Sequence, residues 1–429
     1  MLCTIEIENS LSYAEKTEFS MIARDGYKKY HNNDSPHLNP VIIKDDFLSV
    51  WQIASIYGPN SSGKTNFLKS ITNIFENICG TKHKLVGTSF AYDSSCKKSP
   101  TKHRMSFVLQ INGSDSEYTE FEYGYEIDSR NAVVLHEWLR EREVGTSEFR
   151  SIYVRTEDAF EVRFSQSLRG EQREIVEEIE SNVTKKALFI RGFADQEIEP
   201  LKSIYTWCTS VMESHPVFTD EGLKTQINKL TQTIKKNKAE IDPFRNFLIA
   251  IDNGIKDVFL DKKDVLMVEH NVTGNKDSEV DGIIPFSEES QGTQKMAGIY
   301  LQVKNVFENG GLLVIDELDS KIHSSIFLTY LANFHKPSNN KAQLIFSAHS
   351  LVALNKYDVH PDEVYFAGKN KDEVKDGKSK LTRFQPPEPN CKEHEMFSYS
   401  DLYEAGLLEP LPDDITFFSI LDAEKNSES

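Results

Sequence analysis

Apolar positions along this 429-residue chain change period several times, and each change marks a part of it. Ile5, Ile7, Phe19 and Met21 alternate around a polar turn, which predicts a β-hairpin. A polar loop, RDGYKKYHNNDSPHLNP, leads to SVWQIASIY at 49–57, a nearly continuous apolar run. Such runs belong to strands covered on both faces. After a glycine-rich turn, Phe67, Leu68, Ile71, Ile74, Phe75 and Ile78 fall at helical spacing. From Met105 to Phe164 the runs are short and alternating (MSFVLQI, TEFEYGYEI, AVVLHEWL, SIYV, FEVRF), with turn signals such as NGSDSE, and predict an antiparallel meander.

Residues 165–256 read as mainly helical. Leu223, Ile227, Leu230, Ile234 and Ile241 predict one helix of about five turns, bounded at Pro243 and too short for a long coiled-coil arm. From 256 the α/β alternation returns: DVFLD, a helix from 291, the strand GLLVID, a helix from 321 and the strand AQLIFSA. The organisation expected is an α/β core built from both ends of the chain. Residues 1–164 form its first half with the meander, 165–256 a helical insertion, and 257–370 its second half. Residues 371–429 form a C-terminal extension whose tail, DAEKNSES, is expected to be disordered.

Composition narrows the class. With 38% hydrophobic and 27% charged residues the chain is an ordinary globular protein. No apolar run is long enough to span a bilayer, and MLCTIEIENS is not a secretory start, so a cytoplasmic protein without membrane contact is expected. Cys3, Cys79, Cys96, Cys208 and Cys391 are widely spaced and read as reduced thiols. The net charge of −18 opposes nonspecific binding of nucleic acid. One stretch runs against it: Lys82, Lys84, Lys97, Lys98, Lys102 and Arg104 face a single acid, Asp93, within 81–104. A solvated basic loop is the plain reading, and docking of an acidic partner or nucleic acid the other.

Three motifs carry chemistry. GPNSSGKT at 58–65 matches G-x-x-x-x-G-K-[ST] between a buried strand and a helix. There Asn60, Ser61, Ser62 and Gly63 would close backbone N–H groups around phosphates. Lys64 would bridge the β- and γ-phosphates of ATP, and Thr65 would offer its hydroxyl to Mg²⁺. LLVIDELDS at 312–320 ends a strand in carboxylates, Asp316 suited to the Mg²⁺ shell and Glu317 to polarising a water. Asp319 or Ser320 could instead cap the next helix. AQLIFSAHS ends in His349, placed to report the state of a γ-phosphate; His323 is expected only to pack.

Together with SEESQGTQKM at 287–296, these motifs resemble the ABC class of ATPases. More narrowly they are similar to the AAA family-fifteen branch, which includes the overcoming-lysogenisation-defect proteins and ATPase subunits of bacterial anti-phage systems. IEIENSLSYAEKTEFSMIA resembles that branch's opening hairpin, ESQGTQKM its signature, IDELDSKIH its metal strand and D-loop, FSAHS its switch strand and DEVYFAGKN the strand that follows. The resemblance implies an ABC-type P-loop core with an inserted β meander and a short helical subdomain. It also implies that the signature caps a nucleotide held by a second copy, through the Ser290 hydroxyl and the Gly292 and Thr293 N–H groups.

The sequence departs from the pattern in several places. SQGTQ replaces the transporter's L-S-G-G-Q, so no transport role carries over. Gln110, mid-strand, is not a Q-loop glutamine; no aromatic is assigned to adenine; and LNKYDVHPDEV lacks the branch's arginine. Only 80 residues follow His349, too few for the nuclease domain that overcoming-lysogenisation-defect proteins carry there. The expectation is therefore a homodimeric or higher-oligomeric, Mg²⁺-dependent ATPase that controls a separate effector, a nuclease, in anti-phage defence, with a phage-encoded trigger. The rival readings are an SMC-like ATPase acting directly on DNA and a binding module in which ATP is structural.

Overall fold

Ile53–Tyr57 (β5) is buried at every position, and so is Ala342–Ser347 (β15). They pair in parallel at the centre of a five-stranded sheet. Gly311–Ile315 (β14) lies outside β15, and Val364–Lys369 (β16) lies on the other side of β5. Ser379–Arg383 (β17) closes the order β14-β15-β5-β16-β17 as an antiparallel edge. The computed structural model describes residues 1–30, 37–45, 47–80, 85, 87–90, 93–111, 118–156, 160–162, 170–213, 220–271, 282–339, 341–369, 377–386 and 398–404. Lys82, Lys84, Cys391 and the tail DAEKNSES lie outside these residues.

Alternate residues of the parallel strands feed two cores. Ala54, Ile56, Leu312, Val314 and Ile345 face one, with Lys64–Cys79 (α1) and the meander. Ile53, Tyr57, Leu313, Ile315, Leu344 and Phe346 face the other, with Gln291–Asn309 (α6) and Ser324–Phe334 (α7). The apolar stripe of α1 is buried as its spacing predicts, each large side chain contributing about 1.5–3 kcal/mol. Gly80 ends this helix at φ +69, its N–H bonded to the Glu76 carbonyl.

The hairpin Leu2–Glu8 (β1) and Thr17–Ser20 (β2) joins the meander rather than standing alone. The meander strands are Thr101–Gln110 (β6), Tyr118–Asp128 (β7), Val133–Glu143 (β8), Arg150–Thr156 (β9) and Phe160–Val162 (β10). Their order is β10-β9-β8-β7-β6-β1-β2, antiparallel throughout. Gln343 in β15 ties the two sheets together. Its amide accepts from Leu2 N–H (2.6 Å) and donates to the carbonyls of Leu2 (2.9 Å) and Trp51 (3.2 Å). Gln343→Leu would leave these buried groups unpaired, and an unfolding free energy lower by about 2–4 kcal/mol is expected in urea titration.

Four sequence expectations change. The run 49–57 is two strands: Leu48–Val50 (β4) pairs with Val41–Lys44 (β3), and β5 begins after a jog. Trp51 makes that jog, stacking on His360 at 4.4 Å and donating its indole N–H to Asp362. The five-turn helix ends at Lys236 (α4, Asp220–Lys236). Ile241 and Pro243 instead lie in the first turn of Ile241–Ile251 (α5), where proline's missing N–H is no loss. All but the last residue of DVFLD fall within Ile255–Leu260 (β11), which joins Leu266–His270 (β12) and Ile283–Pro285 (β13) in a separate antiparallel sheet. Gln110 is the last residue of β6 and accepts a bond from Lys341.

The helices of 165–256 divide between cores. Gly170–Asn182 (α2) and Leu201–Glu213 (α3) pack with the meander side, whereas α4 and α5 pack on β11, β12 and α6. The C-terminal extension contributes β17 and Tyr399–Glu404 (α8). In the basic stretch, Lys102 pairs with Glu8 (3.2 Å) and Arg104 with Glu122 (2.7 Å), so strand pairing neutralises both. Among the described residues no helix is long and apolar enough to cross a membrane.

Candidate functional site

The carboxyl ends of β5, β14 and β15 lie side by side, which is where open α/β sheets place their ligands. From β5 the chain turns through Gly58 (φ +149), where a Cβ would lie 2.1 Å from the Ala367 carbonyl of β16. It re-enters helix at Gly63 (φ +112), where a Cβ would meet Ser379 Oγ at 2.5 Å. Both glycines are required by conformation and by close approach. Ser61 is also left-handed, at φ +62. The N-terminus of α1 therefore faces a cleft of about 370 Å³, lined by residues 60–66 with Ser12, Asp316, Glu317, His349, Lys369 and Gly377.

Lys64 is buried, and its ammonium folds back on the carbonyls of Gly58 (2.6 Å) and Pro59 (3.0 Å). Burial lowers its pKa, against the opposing pull of Asp316, Glu317 and Asp319. Ser12, Ser62 and Ser379 surround Gly63, and their hydroxyls have no hydrogen-bond partner among the described residues. Buried hydroxyls without partners beside a helix N-terminus fit a ligand rich in acceptors, such as a polyphosphate.

Across the cleft, Thr65 Oγ1 donates to Asp316 Oδ2 at 2.7 Å, and Ser347 donates to the other oxygen of Asp316. This pair of hard oxygen donors, one on each wall, fits Mg²⁺, which takes carboxylate, hydroxyl, phosphate and water oxygens. Ser347 also accepts from Glu317 N–H (2.8 Å), so one hydroxyl fixes two consecutive acidic residues. Glu317 stands in the left-handed region (φ +49), and its carboxylate is exposed to the cleft. His349 Nε2 lies 3.5 Å from Glu317 Oε1. The turn after β15 is held by Asp319, which accepts from the N–H groups of His349 (3.0 Å) and Ser350.

Asp319 and Ser320 are therefore not helix caps. His323 is: exposed rather than packed, its Nδ1 accepts from Ser325 N–H to open α7. A strand-end acid that must bond the neighbouring strand is unavailable to a helix that begins five residues later.

The structure gathers Asn60, Ser61, Ser62, Gly63, Lys64, Thr65, Asp316, Glu317 and His349 at one cleft. Ser290, Gly292 and Thr293 are not among the residues lining it. Ser290 is the exposed N-cap of α6, and its Oγ accepts from Thr293 N–H (3.1 Å). That N–H is thus engaged within the chain. Gly292 has an internal reason to be glycine as well, since a Cβ would lie 2.4 Å from the Lys321 carbonyl.

Several cleft residues carry no sequence signal. Lys369 and Gly377 reach the cleft only because β16 pairs with β5 and β17 with β16. Ser12 arrives through the β1–β2 turn, bonded at its carbonyl by Ser379 N–H (2.8 Å).

A P-loop, an acidic strand end and a strand-end histidine on adjacent parallel strands, with the antiparallel meander packed on α1, make this an ABC-type P-loop ATPase fold. The chain belongs to the family described as "AAA domain, putative AbiEii toxin, Type IV TA system", whose model matches residues 53–355. No curated protein matches it. Among solved structures it is similar to the SMC head domain from Thermotoga maritima, at 12% identity and a TM-score of 0.40, covering 90% of this chain and 99% of that one. It is also similar to the Smc head bound to the C-winged helix domain of ScpA (12% identity, 89% and 96% covered, TM-score 0.39). A third is the Smc head with an extended coiled coil bound to the C-terminal domain of ScpA, from Pyrococcus furiosus (13%, 89% and 95%, 0.40).

Proposed function

We propose that the protein binds and hydrolyses ATP with Mg²⁺ as a homodimer, each nucleotide gripped by one copy and sealed by the Ser290 tip of the other. The ATP cycle in turn controls a separate effector, a nuclease, in anti-phage defence. The observation that carries the ATPase reading is the convergence of Lys64, Thr65, Asp316, Glu317 and His349 on one cleft. The family's description as a toxin–antitoxin component supports the defence role.

Lys64 has phosphate-length reach from a buried stem, and would exchange its two loop carbonyls for phosphate oxygens. Thr65 and Asp316 would hold Mg²⁺, which when bound neutralises charge on the β- and γ-phosphates. Glu317 would orient the attacking water and accept its proton, while His349 hydrogen-bonds the terminal phosphoryl group. The exposed Ser290 cap, at the positive end of a helix, is suited to an anion presented by a partner.

Phosphate release per chain is expected to rise with protein concentration from nanomolar upward, until dimers saturate. ATP bound stoichiometrically without any phosphate release would favour the structural-nucleotide reading instead. Tight, salt-sensitive DNA binding by the purified chain would favour an ATPase acting on DNA directly.

A further inference from the structure

Lys295 sits on the inward face of α6, one turn past the Ser290 cap, with only 6% of its surface exposed. A lysine so placed must find partners for its charge. Its ammonium donates to three carbonyls of one turn: Glu317 (2.6 Å), Leu318 (3.1 Å) and Ser320 (2.9 Å). Three donors meet three acceptors, which fills the capacity of an ammonium.

That turn is strained. Glu317 (φ +49) and Lys321 (φ +66) are both left-handed and neither is glycine, a conformation that costs roughly 1–3 kcal/mol per residue. Its N–H side is pinned to β15, with Glu317 N–H on the Ser347 hydroxyl and Leu318 N–H on the Ser347 carbonyl. Its carbonyl side is pinned by Lys295. The first turn of α6 also presses directly on it, since Gly292 leaves no room for a Cβ beneath the Lys321 carbonyl.

We propose that Lys295 is a positioning residue for Glu317: by tying three carbonyls of the strained turn to the signature helix, it holds the Glu317 carboxylate toward the cleft. The inference rests on the ATPase reading above and deepens it. Lys295 touches no substrate; it acts through the backbone of the residue that does. Burial lowers its pKa to about 8, while Asp319 and Glu317 favour its charge, so it bonds as an ammonium at neutral pH.

The test uses two substitutions in the full chain. Lys295→Met removes all three bonds, and Lys295→Gln keeps an amide donor and so leaves the interior partly satisfied. Steady-state kinetics, normalised to the fraction of chains that bind ATP, should show kcat lower by about 100-fold for Lys295→Met, the size of effect that displacing a reacting group by about 1 Å produces. Lys295→Gln should fall between it and the unaltered protein, and KM and ATP-induced association should be unchanged in both. A kcat within about threefold of normal in either variant would overturn the inference. So would a loss that follows entirely from weaker ATP binding or association, because Lys295 would then only support the fold or the tip. Absence of turnover in the unaltered protein would overturn the ATPase reading itself, a failure visible before any Lys295 variant is measured.

Discussion

Glu317→Gln should bind ATP as the unaltered protein does and release phosphate at least about 100-fold more slowly, in the range expected when a positioned general base is removed. The substitution is nearly isosteric, and the left-handed turn is held by backbone bonds to Ser347 and Lys295 that the side chain does not make. The groups expected to grip the phosphates, Lys64 and Thr65 among them, are untouched. Only the capacity to accept a proton is lost. Equilibrium dialysis and a phosphate-release assay on the same preparation check both halves. Turnover equal to that of the unaltered protein would remove Glu317 from the catalytic role.

Lys64→Ala should abolish measurable ATP binding at micromolar nucleotide, and hydrolysis with it. Lys64 supplies the cation at the floor of the cleft, and losing a buried charge partner costs about 2–5 kcal/mol, roughly 30- to 4,000-fold in Kd. Folding should survive, because the bonds lost are two carbonyl contacts within the glycine-rich turn itself. Titration calorimetry together with an unfolding curve separates the two effects. Normal affinity in a folded Lys64→Ala protein would mean that the nucleotide sits elsewhere.

The cleft was legible in the sequence wherever a motif is local. GPNSSGKT, IDELDS and FSAHS each lie at or just past the end of one strand, so chain order alone carries them. The fold was legible where burial is one-sided and regular, as in α1 and the meander. It failed where a single residue changes sheets: nothing in SVWQIASIY marks Trp51 as the jog, because its partners Asp362 and His360 lie some three hundred residues away. It also failed where two helices share one apolar period, as α4 and α5 do through Ile241. Lys369 and Gly377 join the cleft through pairing that sequence spacing does not encode. Lys295 did leave a trace, a lone charge beside Met296 and four residues before Ile299 on a buried stripe.

The shared nucleotide is the claim on which the dimeric cycle depends, and sedimentation of Glu317→Gln with and without ATP tests it most directly. The account predicts that ATP doubles the mass, and that adding Ser290→Asp abolishes the doubling while ATP remains bound. Aspartate caps a helix as well as serine does but sets a carboxylate against the incoming phosphate. A mass that ignores ATP, or an ATP-induced dimer indifferent to Ser290→Asp, would contradict it.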